Sequence, residues 1–192
     1  MKATGEGGYQ GPDPQINGCF SSLALLASKL LHCTADMLQR TTRTPVSIEG
    51  IGLHSGHTAR LTLSPAPAGT GVIFRVKGHD QPVPAAPESV LSSNNATTIG
   101  RNGARVQTIE HLMAAISGLG FDNLEVGLDG GDGAVEVPVM DGSAKPFVQL
   151  LSSAGRVQQS AARRPIVIPH RIRVGDERRW LEVTPSSVFK IS

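Results

Sequence analysis

The chain has 192 residues, 39% of them hydrophobic, and a formal charge of +2, which gives room for one full domain plus an appendage or part of another. So small a net charge does not imply a polyanion partner, and no apolar run approaches the roughly 18 residues needed to span a bilayer. The two cysteines, Cys19 and Cys33, both lie near the start, so any metal bound further along must be held by His, Asp or Glu.

Residues 1–18 are rich in Gly, Pro and polar side chains, a composition expected to be disordered. Residues 20–38 form a Ser/Leu/Ala-rich stretch able to make an amphipathic helix, with Lys29, Arg40 and Arg43 as its cations. Two readings stay open for residues 1–40: an organellar presequence, against which Asp13 and Asp36 count, or sequence upstream of a true start at Met37. From Thr44 the pattern changes to short β-prone runs broken by Gly and Pro. Val46-Ser47-Ile48 leads into the glycine-punctuated turn Gly50-Ile51-Gly52-Leu53-His54-Ser55-Gly56. Residues 58–63 then alternate, with Ala59, Leu61 and Leu63 on one face. Residues 65–71 are a loop, 72–76 a strand, and 94–99 a short polar strand or loop.

The first clear helix begins near Thr108. Ile109, Leu112, Met113 and Ile116 make one apolar stripe at a 3.6-residue period, Thr108 is the expected N-cap, and Gly118 and Gly120 supply the stop. Glu110 and His111 fall off that stripe, so the core does not claim them. The positive end of the helix dipole favours an ionised Glu and a neutral imidazole. Those are the forms that accept a proton and bind a metal. Taken alone, such a pair is ordinary solvated surface.

Residues 123–128 alternate as a strand, and Asp129-Gly130-Gly131-Asp132-Gly133 reads as a hairpin turn, since it lacks the ligand spacing of a calcium loop. Val135-Glu136-Val137-Pro138-Val139-Met140 leads to Asp141, which organises the backbone before a second helix. There Ser143 is the expected N-cap, Pro146 sits in the first turn, Phe147, Leu150 and Leu151 are buried, and Gly155 ends the helix. This order predicts an α+β fold: a two-layer sandwich of a mainly antiparallel sheet with two helices on one face. Residues 158–164 read as a polar linker. Beyond it, 166–168 and 172–174 look like a hairpin and 181–183 like a further strand, an incomplete second domain of the same kind.

Five segments together resemble the zinc-dependent UDP-3-O-acyl-N-acetylglucosamine deacetylase family of lipid A biosynthesis. They are the Gly50 to Gly56 turn, Pro65-Ala66-Pro67, Thr108-Ile109-Glu110-His111-Leu112, Gly118-Leu119-Gly120-Phe121-Asp122-Asn123, and the run from Val137 through Met140-Asp141-Gly142-Ser143 to Phe147. The resemblance implies a first domain over residues 41–157, and a linker with the start of a second over 158–192. It also implies a cleft between the halves and hydrolysis of the substrate's N-acetyl group with release of acetate. In that case His111 ligates zinc and Glu110 is the general base. The chemistry is coherent, because zinc polarises a carbonyl and brings the pKa of a water toward about 7 while a nearby carboxylate takes the proton. The family's other two ligands, a His and an Asp, and an assisting His come from a second-domain motif that this sequence does not contain. The polypeptide alone is therefore expected to be inactive.

The resemblance also marks a set of substrate neighbours. His54 matches a family His bordering the cleft, although His54 and His57 on their own read as a solvated turn. Asn94, Asn95 and Thr97 fall in a segment near the substrate entrance that is usually less polar. The expected partner is the UDP-linked acylated glucosamine, and the expected full-length state a monomer in the bacterial cytoplasm, or in a mitochondrion or other organelle if residues 1–40 are a transit peptide. Two rival readings differ in class. One is a non-catalytic truncated relative. The other is an RNA-binding module using Arg163, Arg164, Arg171, Arg173, Arg178 and Arg179, against which Asp176, Glu177 and Glu182 interleave and no aromatic platform is apparent.

Overall fold

The computed structural model describes residues 38–130, 134–188, 190 and 191. The expectations for residues 1–37 lie outside these, as do Gly131, Asp132 and Gly133 of the Asp129 to Gly133 run. The chain divides into two compact units, one up to Ala161 and one from Ala162.

In the first unit the strands are β1 (Leu38–Thr42), β2 (Val46–Ile51), β3 (Thr58–Pro65), β4 (Val72–Val76), β5 (Val83–Pro84), β6 (Val90–Ser92), β7 (Thr98–Arg101), β8 (Ala104–Gln107), β9 (Leu124–Asp129), β10 (Ala134–Glu136) and β11 (Arg156–Ala162). Two helices, α1 (Glu110–Gly118) and α2 (Lys145–Ser153), interrupt them. A five-stranded sheet runs β2-β3-β9-β4-β5, a four-stranded sheet β10-β8-β7-β6, and β1 pairs with β11. Most ladders are antiparallel, with β4–β9 and β10–β8 parallel. This is the α+β sandwich with mainly antiparallel sheets that the alternation predicts.

Register explains the core. Leu61 sits opposite Leu128, Leu63 opposite Val126, and Val126 opposite Phe74, so the apolar residues of three strands share one face. Onto the same core pack Leu112, Ala115 and Ile116 of α1 and Phe147 and Leu151 of α2. Met113 and Leu150 are half-buried, at the edge of their stripes. The opposite face of the five-stranded sheet is charged. Arg75 pairs with Glu125 at 2.7 Å, Lys77 with Asp129 at 2.8 Å, and Arg60 with Glu49 at 3.3 Å.

Four local expectations are corrected. The hairpin turn at 129–133 does not join a hairpin, because β9 belongs to the five-stranded sheet and β10 pairs in parallel with β8 in the other. Residues 158–164, read as a linker, lie largely in β11, whose alternating burial was hidden because its residues are mostly polar or small. In the second unit, 166–168 form no strand, and the hairpin is β12 (Ile172–Gly175) against β13 (Trp180–Val183). Neither helix is capped as expected. The N-cap positions are Ile109 and Ala144, without a side-chain cap. The Ser143 hydroxyl nevertheless accepts the Lys145 N–H at 3.1 Å, and Asp141 accepts the N–H and hydroxyl of Ser143, as its backbone-organising role requires.

Among the described residues, no helix is long and apolar enough to cross a membrane.

Candidate active site

Glu110 and His111 occupy the first turn of α1. Both are half-buried, neither sealed in aliphatic packing nor fully in solvent. The stripe that pins the helix is Leu112, Ala115 and Ile116, so a rotation of about 100° per residue leaves the pair at the margin of the buried face. Glu110 has a defined partner, since its carboxylate accepts the backbone N–H of Thr97 at 3.1 Å. The preceding residue closes the same contact from the other side, with Ile109 N–H donating to the Thr97 carbonyl at 3.5 Å. Thr97, expected near the substrate, thus lies directly against Glu110. Asn94 and Asn95 are exposed in the same loop, and Asn95 takes a left-handed φ of 59°.

His54 lies in the turn after β2, exposed, with its backbone N–H rather than its ring engaged in a recorded hydrogen bond. The turn closes through Gly52 N–H to the His57 carbonyl at 2.9 Å and Gly56 N–H to the Gly52 carbonyl at 3.1 Å.

The residue that joins these segments is Glu136, which the sequence reading treats only as part of a strand. It is 3% exposed. Its carboxylate accepts the Ser55 N–H at 2.8 Å, the His54 N–H at 3.1 Å to each oxygen, and the Thr108 hydroxyl at 2.7 Å. Thr108 therefore does not cap α1. Its hydroxyl is spent on a partner 28 residues away, and its φ of 58° is a left-handed value unusual for a β-branched side chain. Burial pushes the Glu136 carboxyl up, but the donors of Ser55, Thr108 and His54 outweigh that and hold it below its ordinary value. The available signal was a lone acid between two valines at the end of a strand, a position that ordinarily demands donors.

Among the described residues no three of His, Cys, Asp and Glu converge on one point. Catalytic zinc takes three protein ligands. The half-buried imidazole of His111, beside an acid at a helix start, fits one of those three positions.

The comparisons with known proteins bear on this geometry. Residues 39–192 match the family model described as LpxC, UDP-3-O-acyl N-acetylglycosamine deacetylase. A UDP-3-O-acyl-N-acetylglucosamine deacetylase of Myxococcus xanthus is 47% identical over 156 residues, covering 80% of this chain and 48% of that protein. Those of Aliivibrio fischeri and Geotalea uraniireducens are 44% and 46% identical, each covering 80% of this chain and 50% of the relative. The chain thus spans about half the length of the curated relatives it matches. With four-fifths of its residues inside that match, the chain belongs to the UDP-3-O-acyl N-acetylglycosamine deacetylase family.

Proposed function

We propose that this chain carries the Glu110–His111 part of a zinc-dependent site that hydrolyses the N-acetyl group of UDP-3-O-(3-hydroxyacyl)-N-acetylglucosamine, an early committed step of lipid A biosynthesis. The observation that carries the reading is the acid and imidazole side by side at the start of α1, off its buried stripe, with the acid held by Thr97 N–H. The relatives' names supply the substrate class.

In the reaction, water adds to the acetamide carbonyl, the C–N bond breaks, and acetate and a free amine leave. Glu110 suits the general base. Its carboxylate is held in place by the Thr97 N–H, and its place at the margin of the buried face leaves it accessible. The same carboxyl, once protonated, can return that proton toward the departing amine. His111 would supply one ligand to zinc, which when bound lowers the pKa of water and polarises the carbonyl. The other two ligands, a His and an Asp by the family resemblance, would come from a second-domain motif.

The test has two arms. The chain alone should release no acetate above buffer from the substrate, and a rate comparable to that of a full-length relative would overturn the ligand assignment. Completed as a chimera by the second half of the Myxococcus xanthus protein, it should turn over, and Glu110→Gln should slow it by about 10²–10⁴-fold. Unchanged turnover in that variant would remove Glu110 from its role. Complementation of a deacetylase-deficient bacterium by the chain itself tests the alternative, a relative that folds but performs no reaction.

A further inference from the structure

We propose that Glu136 is a positioning residue, a buried latch that ties the His54 turn to Thr108 at the head of α1 and so sets Glu110 against the Thr97 loop. The proposal deepens the deacetylase reading and rests on it only for the chemical meaning of that pair.

Glu136 ends β10 opposite Gln107 at the end of β8. The strand's continuation stitches two segments, with Val137 N–H donating to the Gln107 carbonyl and Val139 N–H to the Ile51 carbonyl, both at 3.0 Å. From that fixed point the side chain reaches two ways. Toward the glycine turn it takes the N–H groups of His54 and Ser55, and the approach is close enough that a Cβ on Gly52 would collide with the carboxylate. Toward the helix it takes the hydroxyl of Thr108, the second residue before Glu110.

Thr108 forms the corner between β8 and α1. A β-branched residue at positive φ stores of order 1–3 kcal/mol and persists only where its surroundings over-determine it. Here the surroundings are the Glu136 carboxylate on its hydroxyl and the β8 ladder before it. The left-handed corner turns the chain out of β8 so that Ile109 N–H meets the Thr97 carbonyl and the Glu110 carboxylate meets the Thr97 N–H. Packing alone gives no reason for a charge at this depth, since its chain neighbours Val135 and Val137 are both buried and a buried carboxylate is costly unless its donors are placed for it. A single acid therefore couples the His54 turn to Thr108, two residues before Glu110, without itself hydrogen bonding to Glu110 or His111.

The test reads the Thr97 amide proton by nuclear magnetic resonance in the chain without metal or substrate. Glu110→Ala gives the reference position of that proton when the carboxylate is gone. Glu136→Ala and Thr108→Val should both move the Thr97 resonance upfield toward this reference and speed its exchange with solvent. Glu136→Gln, whose amide can accept from Ser55 and donate to Thr108, should leave it in place. A residue that merely stabilised the fold would lower the melting temperature without singling out Thr97. An unmoved Thr97 in folded Glu136→Ala and Thr108→Val overturns the proposal. So does loss of folding in both variants, which would make the latch a fold determinant. Because no turnover is measured, failure of the deacetylase assays would leave this result standing, and failure here would leave those assays standing.

Discussion

A charge sealed from solvent makes a pH-dependent contribution to stability whose sign follows from its partners. Glu136 has a folded pKa below its ordinary value, so its stabilisation is present above the unfolded-state pKa and is lost as pH falls through the folded one. The wild-type urea midpoint should fall on going from neutral pH to below about 4, and Glu136→Gln should both lower the neutral midpoint and flatten this acid dependence. An acid limb of identical slope in the variant would show that the carboxylate is not the group titrating. Gly52 is the matching steric case. An alanine Cβ there would strike the Ser55 hydroxyl and the Glu136 carboxylate, so Gly52→Ala should cost about 1–3 kcal/mol, read as a lower urea midpoint. Asn123 shows why another segment of the resemblance is built as it is. Almost fully buried, its amide receives the Gly71 N–H at 2.8 Å and donates to Gln39 and Gln159 at 2.9 and 2.7 Å, and so ties a loop to both end strands.

Among the elements, the five-stranded sheet separates a face that must be filled from one that need not be. Gly127 on β9 looks toward the charged side, and a Cβ there would meet only the Thr62 Cβ at 3.7 Å and the Thr62 carbonyl at 3.8 Å. With ordinary φ and only ordinary van der Waals contacts, Gly127→Ala should be neutral or stabilise by up to about 1 kcal/mol; a clear loss in the urea midpoint would mean that Thr62 crowds the added methyl. The same separation decides what was readable beforehand. β3 and β9 were legible because Ala59, Leu61 and Leu63, or Leu124, Val126 and Leu128, alternate visibly with polar or small residues. Both helices were legible from their stripes. β11 was not, since the half-buried set Val157, Gln159 and Ala161 has a polar residue at its centre and a small one at its end. The Thr108 cap was misread because local pattern favours Thr before a helix, while its actual partner is 28 residues on. No local rule reveals that, nor the parallel pairing that takes β10 to β8. Glu110 and His111 were readable as off-stripe residues. Their support by Thr97 and Glu136 depended on tertiary register.

At the scale of the molecule, the two units differ in how they hold together. The second is a two-stranded hairpin in which Arg173 lies 4.2 Å over the Trp180 ring, Arg171 pairs with Glu182 at 2.6 Å, and Asp176 accepts the N–H groups of Arg178 and Arg179 in the turn. Most of its apolar residues, Leu181 and Val174 among them, stay exposed. Such a hairpin is marginal by itself, so amides of β12 and β13 should exchange with solvent much faster than those of β3 and β9. Trp180→Ala should erase what protection the hairpin has while leaving the first unit's melting temperature unchanged. A shift of the main transition would show that the hairpin's stability is coupled to the larger core. The first unit is by contrast closed upon itself, its opening strand β1 paired with its last strand β11.

The carboxylate of Glu136 follows His54 by 82 residues and Thr108 by 28. As the ribosome extends the polypeptide from its N-terminus, the glycine turn, the Thr97 loop and the whole of α1 are synthesised before the acid that aligns them. Contacts of such long sequence separation close late, after their loops have been brought together. The acid–imidazole pair is therefore written early and given its orientation last, so a nascent chain halted before β10 would contain both groups without the means to aim them.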